Sequence, residues 1–289
     1  MLEKSSEQNA ITKALKNTFG RMSDNNQPPL LEEETRILYK SIGSAATRKP
    51  TDVGVGIKPK TDEELESNYL LYRLGTTKHQ HDPDELFTQI YDELSADTKN
   101  KLTIVKNETW GHNGIHENQR PYVAPKLYIT LPTTLGASVT LATCIQNGMK
   151  DETNPDRRCG TEGCKVTGLL GKTNFASLPA MFIAQLGRYT DDATAPKIGT
   201  LVNFENILPL TEENGPRKTQ KNYKLHAIIR HHGTRLNSGH YTAVIKISDG
   251  WLECNDLSVH KTELRASEND PNVLKGTADD YMCIYVLEE

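Results

Sequence analysis

The stretch of sequence that decides the fold lies between residues 223 and 256. It reads Tyr-Lys-Leu-His-Ala-Ile-Ile-Arg-His-His-Gly from 223 to 233, Thr-Arg-Leu-Asn-Ser-Gly-His-Tyr-Thr-Ala-Val-Ile from 234 to 245, and Gly-Trp-Leu-Glu-Cys-Asn-Asp from 250 to 256. The apolar and polar residues predict three strands, separated by a glycine-bounded loop and by a short turn. Because neighbouring antiparallel strands run in opposite directions, the start of the second strand is expected beside the end of the third.

His240 begins the second of these strands, and Asn255 and Asp256 end the third. A histidine that acts as a general base needs a polar partner, which fixes its tautomer and stabilises the imidazolium form. The Asn-Asp pair is placed to be that partner, and Gly239 allows a close approach of backbone and substrate because it has no Cβ. The alternative is that His240, one of nine histidines, merely begins a strand. A weaker hypothesis is a metal-dependent hydrolase that uses the three histidines between 231 and 240, but the sequence lacks a His-Glu-x-x-His motif.

The rest of the chain predicts helices first and strands later. Apolar residues at helical spacing indicate helices over 9–22 and 30–42, a loop rich in Gly, Pro and Thr follows over 43–60, and Asp82-Pro83-Asp84 marks the start of another helix. Alternating patterns then predict strands near residues 102–104 and 127–131, and at 181–186, 201–207, 225–230, 241–247 and 282–287. This order favours an α+β fold with an antiparallel sheet.

Taken together, these pieces resemble the C-terminal signature of the ubiquitin-specific protease family (ubiquitin carboxyl-terminal hydrolases). That signature runs Tyr-x-Leu-x-Ala-Val, His-x-Gly, Gly-His-Tyr-x-Ala, Trp with an Asn-Asp or Asp-Asp pair, and Tyr-Met-Leu-x-Tyr. The matching positions follow in the same order at 223–229, 231–233, 239–243, 251 with 255–256, and 281–285. Weaker matches are the segment 178–189, where the family ends in Leu-x-Arg-Phe, the strand at 202–210, and the helix start at 80–86.

The resemblance implies a papain-like α+β fold in a single catalytic domain over residues 1–289, with a helical thumb within 1–100 and an antiparallel-sheet palm and fingers within 101–289. It implies that His240 is the general base and Asn255 its orienting partner, with Asp256 as the alternative or as a second polar support. The implied reaction is attack of a cysteine thiolate on the carbonyl after the C-terminal glycine of ubiquitin, followed by hydrolysis of the acyl-enzyme. The implied partners are ubiquitin or ubiquitinated proteins. Catalysis needs no cofactor, because a cysteine paired with histidine ionises near neutral pH.

The family's nucleophile segment, Gly-x-x-Asn-x-Gly-Asn-Thr-Cys-Tyr, has no counterpart in this sequence, so the matching domain is expected to be N-terminally incomplete. That segment also carries an asparagine that helps to hold the oxyanion, and its loss should abolish chemistry in this chain alone. Other thiols fit poorly: Cys144 falls in a predicted short helix, Cys254 is expected to face away from Asn255, and Cys283 falls in a strand expected to be buried. The chain is therefore a fragment or part of a split deubiquitinase, or an inactive relative that acts as a ubiquitin- or partner-binding module.

A second group of residues suggests a metal site. Cys159-Gly-Thr-Glu-Gly-Cys164 places two thiols across a glycine-bearing turn, and His112-Asn-Gly-Ile-His116 offers two imidazoles where the family would have another ligand pair. In the family, two cysteine pairs hold a structural zinc, with two residues inside each pair instead of four. A Cys2His2 set suits Zn²⁺, so a structural zinc is one interpretation. The other is that the histidines occupy a solvated loop and the cysteines form a degenerate knuckle that has lost its metal.

Composition limits the partners and the location. A net charge of −4 argues against nucleic acid, because phosphate binding needs a concentrated basic face. The apolar runs are far shorter than the ~20 residues that cross a bilayer, and the first ten residues are charged and polar, so we expect neither membrane association nor a secretory leader. Five cysteines, with only one close pair, favour a reducing compartment, and we expect an intracellular protein of the cytoplasm or nucleus.

Overall fold

The structure is a computed structural model, and it describes residues 82–94, 96–112, 114–134, 136, 138–190, 196–235, 238–256, 258–268 and 270–288. The helices predicted for 9–22 and 30–42 and the loop predicted for 43–60 lie outside the described residues, as does most of the thumb expected over 1–100. The described residues from Asn100 onward form one compact unit, and those before it belong to another.

The first unit contains α1 (Pro83–Glu93), which begins where the sequence predicts a helix start. The Asp82 carboxylate accepts a hydrogen bond of 2.8 Å from the N–H of Asp84, and proline fits the first turn because an N–H there has no intrahelical partner. Asp84 and Glu85 place negative charge at the positive end of the helix dipole. A short helix, α2 (Ala96–Asn100), follows. No helix in the described part of the chain is long and apolar enough to span a bilayer.

The described residues after α2 form one helix and fifteen strands. In chain order these are β1 (Ile104–His112), β2 (His116–Ala124), β3 (Leu127–Thr130), β4 (Ser138–Thr140), α3 (Leu141–Gly148), β5 (Glu152–Arg158), β6 (Thr167–Ser177), β7 (Met181–Gly187), β8 (Leu201–Glu205), β9 (Ile207–Asn214), β10 (Arg217–Arg235), β11 (Ser238–Ile247), β12 (Gly250–Asn255), β13 (Ser258–Thr262), β14 (Val273–Leu274) and β15 (Asp280–Leu287).

Twelve of these strands form one sheet, whose main path runs β13-β12-β11-β10-β9-β6-β1-β2. β15 joins it by pairing with β10 and β7, β3 pairs with β7, and β5 pairs with β6. A smaller set runs β14-β8-β4. Most pairs are antiparallel, as the sequence predicts, but β3 with β7, β4 with β8, and β6 with β9 pair in parallel. The architecture is therefore sheet-rich and mixed, with few helices among the described residues.

One predicted strand is divided in the structure. The sequence pattern predicts a single strand over 201–207, whereas β8 ends at Glu205 and β9 begins at Ile207. Between them, the N–H of Asn206 donates to the carbonyl of Asn272 at 2.8 Å, and the carbonyl of Asn206 accepts from the N–H of Leu225 at 3.1 Å. The prediction of one strand is wrong because the chain exchanges its pairing partner at this residue.

The main core is aromatic and aliphatic. Its completely buried side chains include Phe182, Phe204, Leu208, Tyr223 and Tyr285. Burying a large apolar side chain contributes about 1.5–3 kcal/mol. β7 is buried along most of its length because it lies between β15 and β3, which explains the continuous apolar run in its sequence. The Tyr223 hydroxyl donates to the carbonyl of Pro179 at 2.6 Å, so the polar atom of this buried ring is satisfied.

β10 positions the candidate active site. Its first part pairs with β9 as far as Lys224, and its second part lies between β15 and β11. β11 in turn pairs with β12, and β12 with β13. The two successive hairpins place the start of β11 beside the end of β12, which is the arrangement that the order of the sequence predicts.

Candidate active site and candidate metal centre

The structure brings the three predicted active-site residues together. His240 is the third residue of β11 and lies opposite His232 of β10, while Asn255 is the last residue of β12. His240 Nε2 lies 2.6 Å from Asn255 Oδ1 and 3.9 Å from Asp256 Oδ2. The side chain of His240 is 34% exposed, so the imidazole is within reach of a ligand in solution. Asn255 is the direct hydrogen-bond partner, and Asp256 is a second polar group beside it.

The contact with Asn255 determines which nitrogen of His240 carries the proton. An amide oxygen only accepts hydrogen bonds, so His240 Nε2 donates to it. In the neutral imidazole, Nδ1 then has the lone pair that can accept a proton. Asp256 has a φ of 50°, in the left-handed region that aspartate tolerates better than most residues, and the chain turns there into β13. In this geometry, Nδ1 is the basic nitrogen of a neutral His240.

A second polar network, which the sequence does not predict, lies beside His240. His232 Nδ1 lies 3.1 Å from Asp279 Oδ2, and His232 Nε2 lies 2.8 Å from Thr242 Oγ1. The rings of His232 and His240 stack with their centroids 6.4 Å apart. Partial burial acts to raise the pKa of Asp279, but the hydrogen bond and charge of Lys197, together with His232, hold that pKa below its ordinary value. Asp279 follows His232 by 47 residues, so no local pattern signals the contact.

All five cysteines of the sequence are free thiols. Burial, followed by the charge of neighbouring carboxylates, raises the pKa of Cys144, Cys254 and Cys283. As the sequence predicts, Cys144 lies in a short helix, α3, and Cys283 is completely buried in β15. A raised pKa favours the neutral thiol, which is a much weaker nucleophile than the thiolate. These three side chains are therefore poor candidates for the nucleophile.

The four predicted metal ligands also lie together. His112 ends β1 and His116 begins β2, and the two residues are direct partners in this hairpin. Cys164 Sγ lies 3.3 Å from His112 Nε2, and Cys159 Sγ lies 3.7 Å from His116 Nδ1. The four ligand atoms are all within 4.8 Å of one another. The two histidines thus belong to paired strands and not to a solvated loop.

The cluster fits a zinc ion. Tetrahedral zinc with ordinary Zn–S and Zn–N bonds separates a sulfur from a nitrogen by about 3.6 Å. The two sulfur–nitrogen distances of 3.3 and 3.7 Å lie on either side of that value. Trp110 and Leu169 pack against the cysteines and form a small apolar cluster with them. Hydrogen bonds from the side chain and backbone of Thr161 lower the pKa of the Cys159 thiol to about 6. Two thiols and two imidazoles, partly shielded from water, are a donor set suited to a structural zinc.

A part-exposed histidine held against an asparagine amide is the pairing found in proteases with a Cys-His-Asn triad. A sequence model of the family described as ubiquitin carboxyl-terminal hydrolase matches residues 3–285. The chain therefore belongs to the ubiquitin carboxyl-terminal hydrolase family, in agreement with the motifs of its last third.

Curated relatives carry the same description. Ubiquitin carboxyl-terminal hydrolase 48 of Danio rerio is 22% identical over 216 residues, which cover 69% of this chain and 21% of the relative. Ubiquitin carboxyl-terminal hydrolase 48 of Gallus gallus is 31% identical over 211 residues, covering 66% and 20%. Ubiquitin hydrolase B of Dictyostelium discoideum is 32% identical over 98 residues, covering 34% and 21%. The chain thus spans about a fifth of the length of these relatives.

Solved structures of the same fold include the SAGA DUB module, in which Ubp8 is assembled with Sgf11, Sus1 and Sgf73. In one of them the module is bound to monoubiquitin; the TM-score is 0.63 at 16% identity, over 95% of this chain and 63% of that chain. In another the module is bound to ubiquitin aldehyde, with a TM-score of 0.59 at 16% identity, over 90% and 65%. At this identity the comparison establishes the fold.

Proposed function

We propose that this chain supplies the general base, and the group that orients it, for a deubiquitinase-type cysteine protease. The bond cleaved is the one that follows the C-terminal glycine of ubiquitin, and the substrates are ubiquitinated proteins. The observation that carries this proposal is the 2.6 Å contact between His240 Nε2 and Asn255 Oδ1 at a part-exposed position. The family of the chain and the ubiquitin-bound state of the related SAGA DUB modules support it.

In this reaction, Nδ1 of His240 takes the proton of a cysteine thiol, and the thiolate adds to the carbonyl carbon of the C-terminal glycine. The imidazolium keeps its Nε2–H on Asn255, and the carboxylate of Asp256 at 3.9 Å stabilises its charge. Collapse of the tetrahedral intermediate breaks the bond to the amine, which takes the proton from His240 and departs. His240 then takes a proton from water, whose attack on the acyl-enzyme releases the glycine carboxylate and restores the thiol.

The nucleophile in this proposal is a cysteine other than the five of this sequence. Three of those five have a raised pKa, and the other two face histidines in the candidate metal centre. Cys254 is adjacent to Asn255, but successive residues of a strand point to opposite faces of the sheet. A thiol supplied by a further segment or by a second chain agrees with the fragment and split-protein interpretations.

The test uses the full-length natural protein and ubiquitin that carries a thiol-reactive group at its C-terminus. We expect one covalent ubiquitin adduct per active site and hydrolysis of a ubiquitin amide. His240→Ala should abolish hydrolysis, whereas His260→Ala, which removes an exposed imidazole on β13, should leave it unchanged. Equal hydrolysis by the His240→Ala variant and the natural protein would exclude His240 as the base.

A second candidate function is ubiquitin binding without hydrolysis, by a catalytically inactive pseudo-enzyme. The observation in its favour is the raised pKa of Cys144, Cys254 and Cys283, which keeps these thiols neutral. In that case the full-length protein forms no adduct with the reactive ubiquitin, and calorimetric titration with ubiquitin still shows saturable binding. If an adduct forms and free ubiquitin inhibits its formation, the inactive pseudo-enzyme is excluded.

We also propose that His112, His116, Cys159 and Cys164 hold a structural zinc. The support is the mutual distance of their ligand atoms and the absence of a carboxylate from the donor set. Zinc would fix the β1–β2 hairpin to the connection between β5 and β6, two segments that are far apart in sequence. Catalysis itself requires no metal in this proposal.

We propose a single catalytic domain over residues 1–289, with the thumb before residue 101, and an intracellular location in the cytoplasm or nucleus. The free state of all five thiols supports a reducing compartment. The net charge of −4 supports a protein partner over nucleic acid.

A further inference from the structure

A buried histidine, His231, lies beneath the hairpin that carries His240. Only 1% of its surface is exposed. Its ring centroid is 4.6 Å from that of Tyr241 and 6.4 Å from that of Tyr281. The hydroxyl of Tyr189 is hydrogen-bonded to His231 Nδ1. Packing against these two rings and the bond to Tyr189 hold the imidazole in one orientation.

The backbone of His231 is held as firmly as its ring. Its N–H donates to the carbonyl of Asp279 at 2.7 Å, and Lys197 Nζ donates to its carbonyl. Lys197 also donates to Asp279 Oδ1 at 2.8 Å, so the two groups that hold His231 are bonded to each other. The backbone of His231 is therefore fixed in position, and neighbouring segments can pack against its ring.

Two glycines of the hairpin rest directly on this imidazole. A Cβ on Gly239 would lie 2.5 Å from His231 Nε2, 2.9 Å from its Cε1 and 2.6 Å from the carbonyl oxygen of His232. A Cβ on Gly233 would lie 3.0 Å from His231 Cε1 and 2.4 Å from the carbonyl oxygen of Ser238. Real Cβ atoms do not approach other atoms below about 3.0 Å, so a side chain at Gly239 would push the backbone away from the ring and from the neighbouring strand. Gly239 also has a φ of +153°, which L-residues rarely adopt. Because Gly239 immediately precedes His240, the ring of His231 sets the height of the backbone that carries the proposed base.

Tyr189 is anchored by the residue before it. The completely buried guanidinium of Arg188 donates to four backbone carbonyls, which belong to Ile198, Thr200, Thr277 and Asp280 at 2.5–3.1 Å. The resembling family segment ends in Leu-x-Arg-Phe, so Tyr189 adds a hydroxyl where that pattern has a phenylalanine. The added hydroxyl is the atom that bonds to His231.

We propose that Tyr189 and His231 are positioning residues for His240. The Tyr189 hydroxyl fixes the His231 ring, the ring supports Gly239, and Gly239 sets the distance from His240 to Asn255. The inference rests on the proposed role of His240 as the base, and neither positioning residue touches a reacting atom. Loss of the support would lengthen the His240–Asn255 hydrogen bond and release the imidazole from its single tautomer.

The tautomer of His240 can be measured directly. In protein labelled with 15N-histidine, long-range 1H–15N spectra distinguish a ring nitrogen that carries hydrogen from one that does not. The spectra are recorded well above the ordinary histidine pKa of about 6.5, and His240→Gln assigns the signals. In the unmodified chain we expect a protonated Nε2 and an unprotonated Nδ1. In Tyr189→Phe we expect the two 15N shifts to move towards each other, as in a solvated imidazole that exchanges tautomers.

Tyr281→Phe is the matched control. It also deletes a hydroxyl beside His231, but that hydroxyl accepts a bond of 3.0 Å from Gln185 Nε2. Melting temperatures report the loss of stability in both variants. We expect Tyr281→Phe to leave the His240 shifts unchanged. Unchanged shifts in Tyr189→Phe would overturn the proposal, because the hydroxyl would then have no effect on the tautomer of His240. Equal movement in both variants would also overturn it, because the hydroxyl would then act only through general stability.

His231→Phe tests the order of the contacts. This variant should itself move the His240 shifts, and adding Tyr189→Phe to it should produce no further movement, because the hydroxyl acts through the His231 ring. Additive movement would overturn the proposed order. These experiments measure the His240 imidazole and not turnover. If the predicted shifts are seen in a protein that hydrolyses no ubiquitin, the positioning role stands and only the proposed reaction is contradicted.

Discussion

Asn255→Ala is expected to reduce turnover far more than Asp256→Ala, although the two residues are adjacent. Asn255 accepts a hydrogen bond of 2.6 Å from an imidazole that becomes a cation during the proposed reaction. A hydrogen bond to a charged group contributes about 1.5–3 kcal/mol. Since each ~1.4 kcal/mol is tenfold in rate, the expected loss in kcat/KM is about 10- to 150-fold. The carboxylate of Asp256 is 55% exposed and 3.9 Å away. An exposed ion pair contributes about 0.2–1 kcal/mol, so its loss costs about 1.5- to 5-fold.

The assay is steady-state hydrolysis of a fluorogenic amide at the C-terminus of ubiquitin, with the full-length protein and both alanine variants. Asn255→Asp is the matched control, because it keeps an acceptor oxygen at the same position and should retain most of the activity. Melting temperatures check that each variant folds. A loss of tenfold or more in Asp256→Ala, with less than fivefold in Asn255→Ala, would refute the assignment of the amide as the orienting partner and give that role to the carboxylate.

Three further predictions concern the metal centre, the buried cation and the pH dependence of stability. Cys164→Ser should lower the zinc content below one ion per chain. A chelator should lower the melting temperature of the unmodified protein but not that of the variant. An unchanged metal content in the variant would contradict the site. Arg188→Met leaves four carbonyls without their donor, and two of these hydrogen bonds are buried. It should lower the free energy of unfolding by about 2–6 kcal/mol in urea titrations, whereas a loss below about 1 kcal/mol would be inconsistent with the burial of Arg188. Burial acts to raise the pKa of Glu212, but hydrogen bonds from Lys221 and the N–H of Leu178 outweigh it, so that pKa lies below its ordinary value of 4.5. The stability contributed by Glu212 is therefore present above about pH 4.5 and is lost as the pH falls through the lowered pKa. Calorimetry should accordingly show that Glu212→Gln is less stable than the unmodified protein near neutral pH, by a margin that shrinks in acid; a constant margin would contradict this.

The geometry around His240 was predictable because it is local. His240 and Asn255 are 15 residues apart and lie on consecutive hairpins, so the order of strands and turns is enough to bring them together. The network of Lys197 and Asp279 was not predictable, because it joins segments whose proximity depends on β10 and β15 lying side by side. The division of the predicted strand at Asn206 depends in the same way on a distant segment, which supplies the carbonyl of Asn272.

The metal centre was predictable from the sequence only in part. The separation of His116 from Cys159, 43 residues, gives no local signal that they meet. The position of the histidines did have a signal, since the three residues between them include an Asn-Gly, and a three-residue connection that contains glycine is a hairpin pattern. The loop interpretation gave too little weight to that dipeptide. The parallel pairing of β3 with β7 had no comparable local mark.

The length of β10 has a consequence for which changes the protein can tolerate. This strand has 19 residues, and its two halves are matched to different neighbours, the first half to β9 and the second half to both β11 and β15. A single inserted residue near Tyr223 would leave the first half in place and reverse the facing of every later side chain, including His231 and His232. Insertions and deletions should therefore be tolerated at the turn around Gly215. They should not be tolerated in the second half of the strand, where one backbone sets the pairing register of two neighbouring strands.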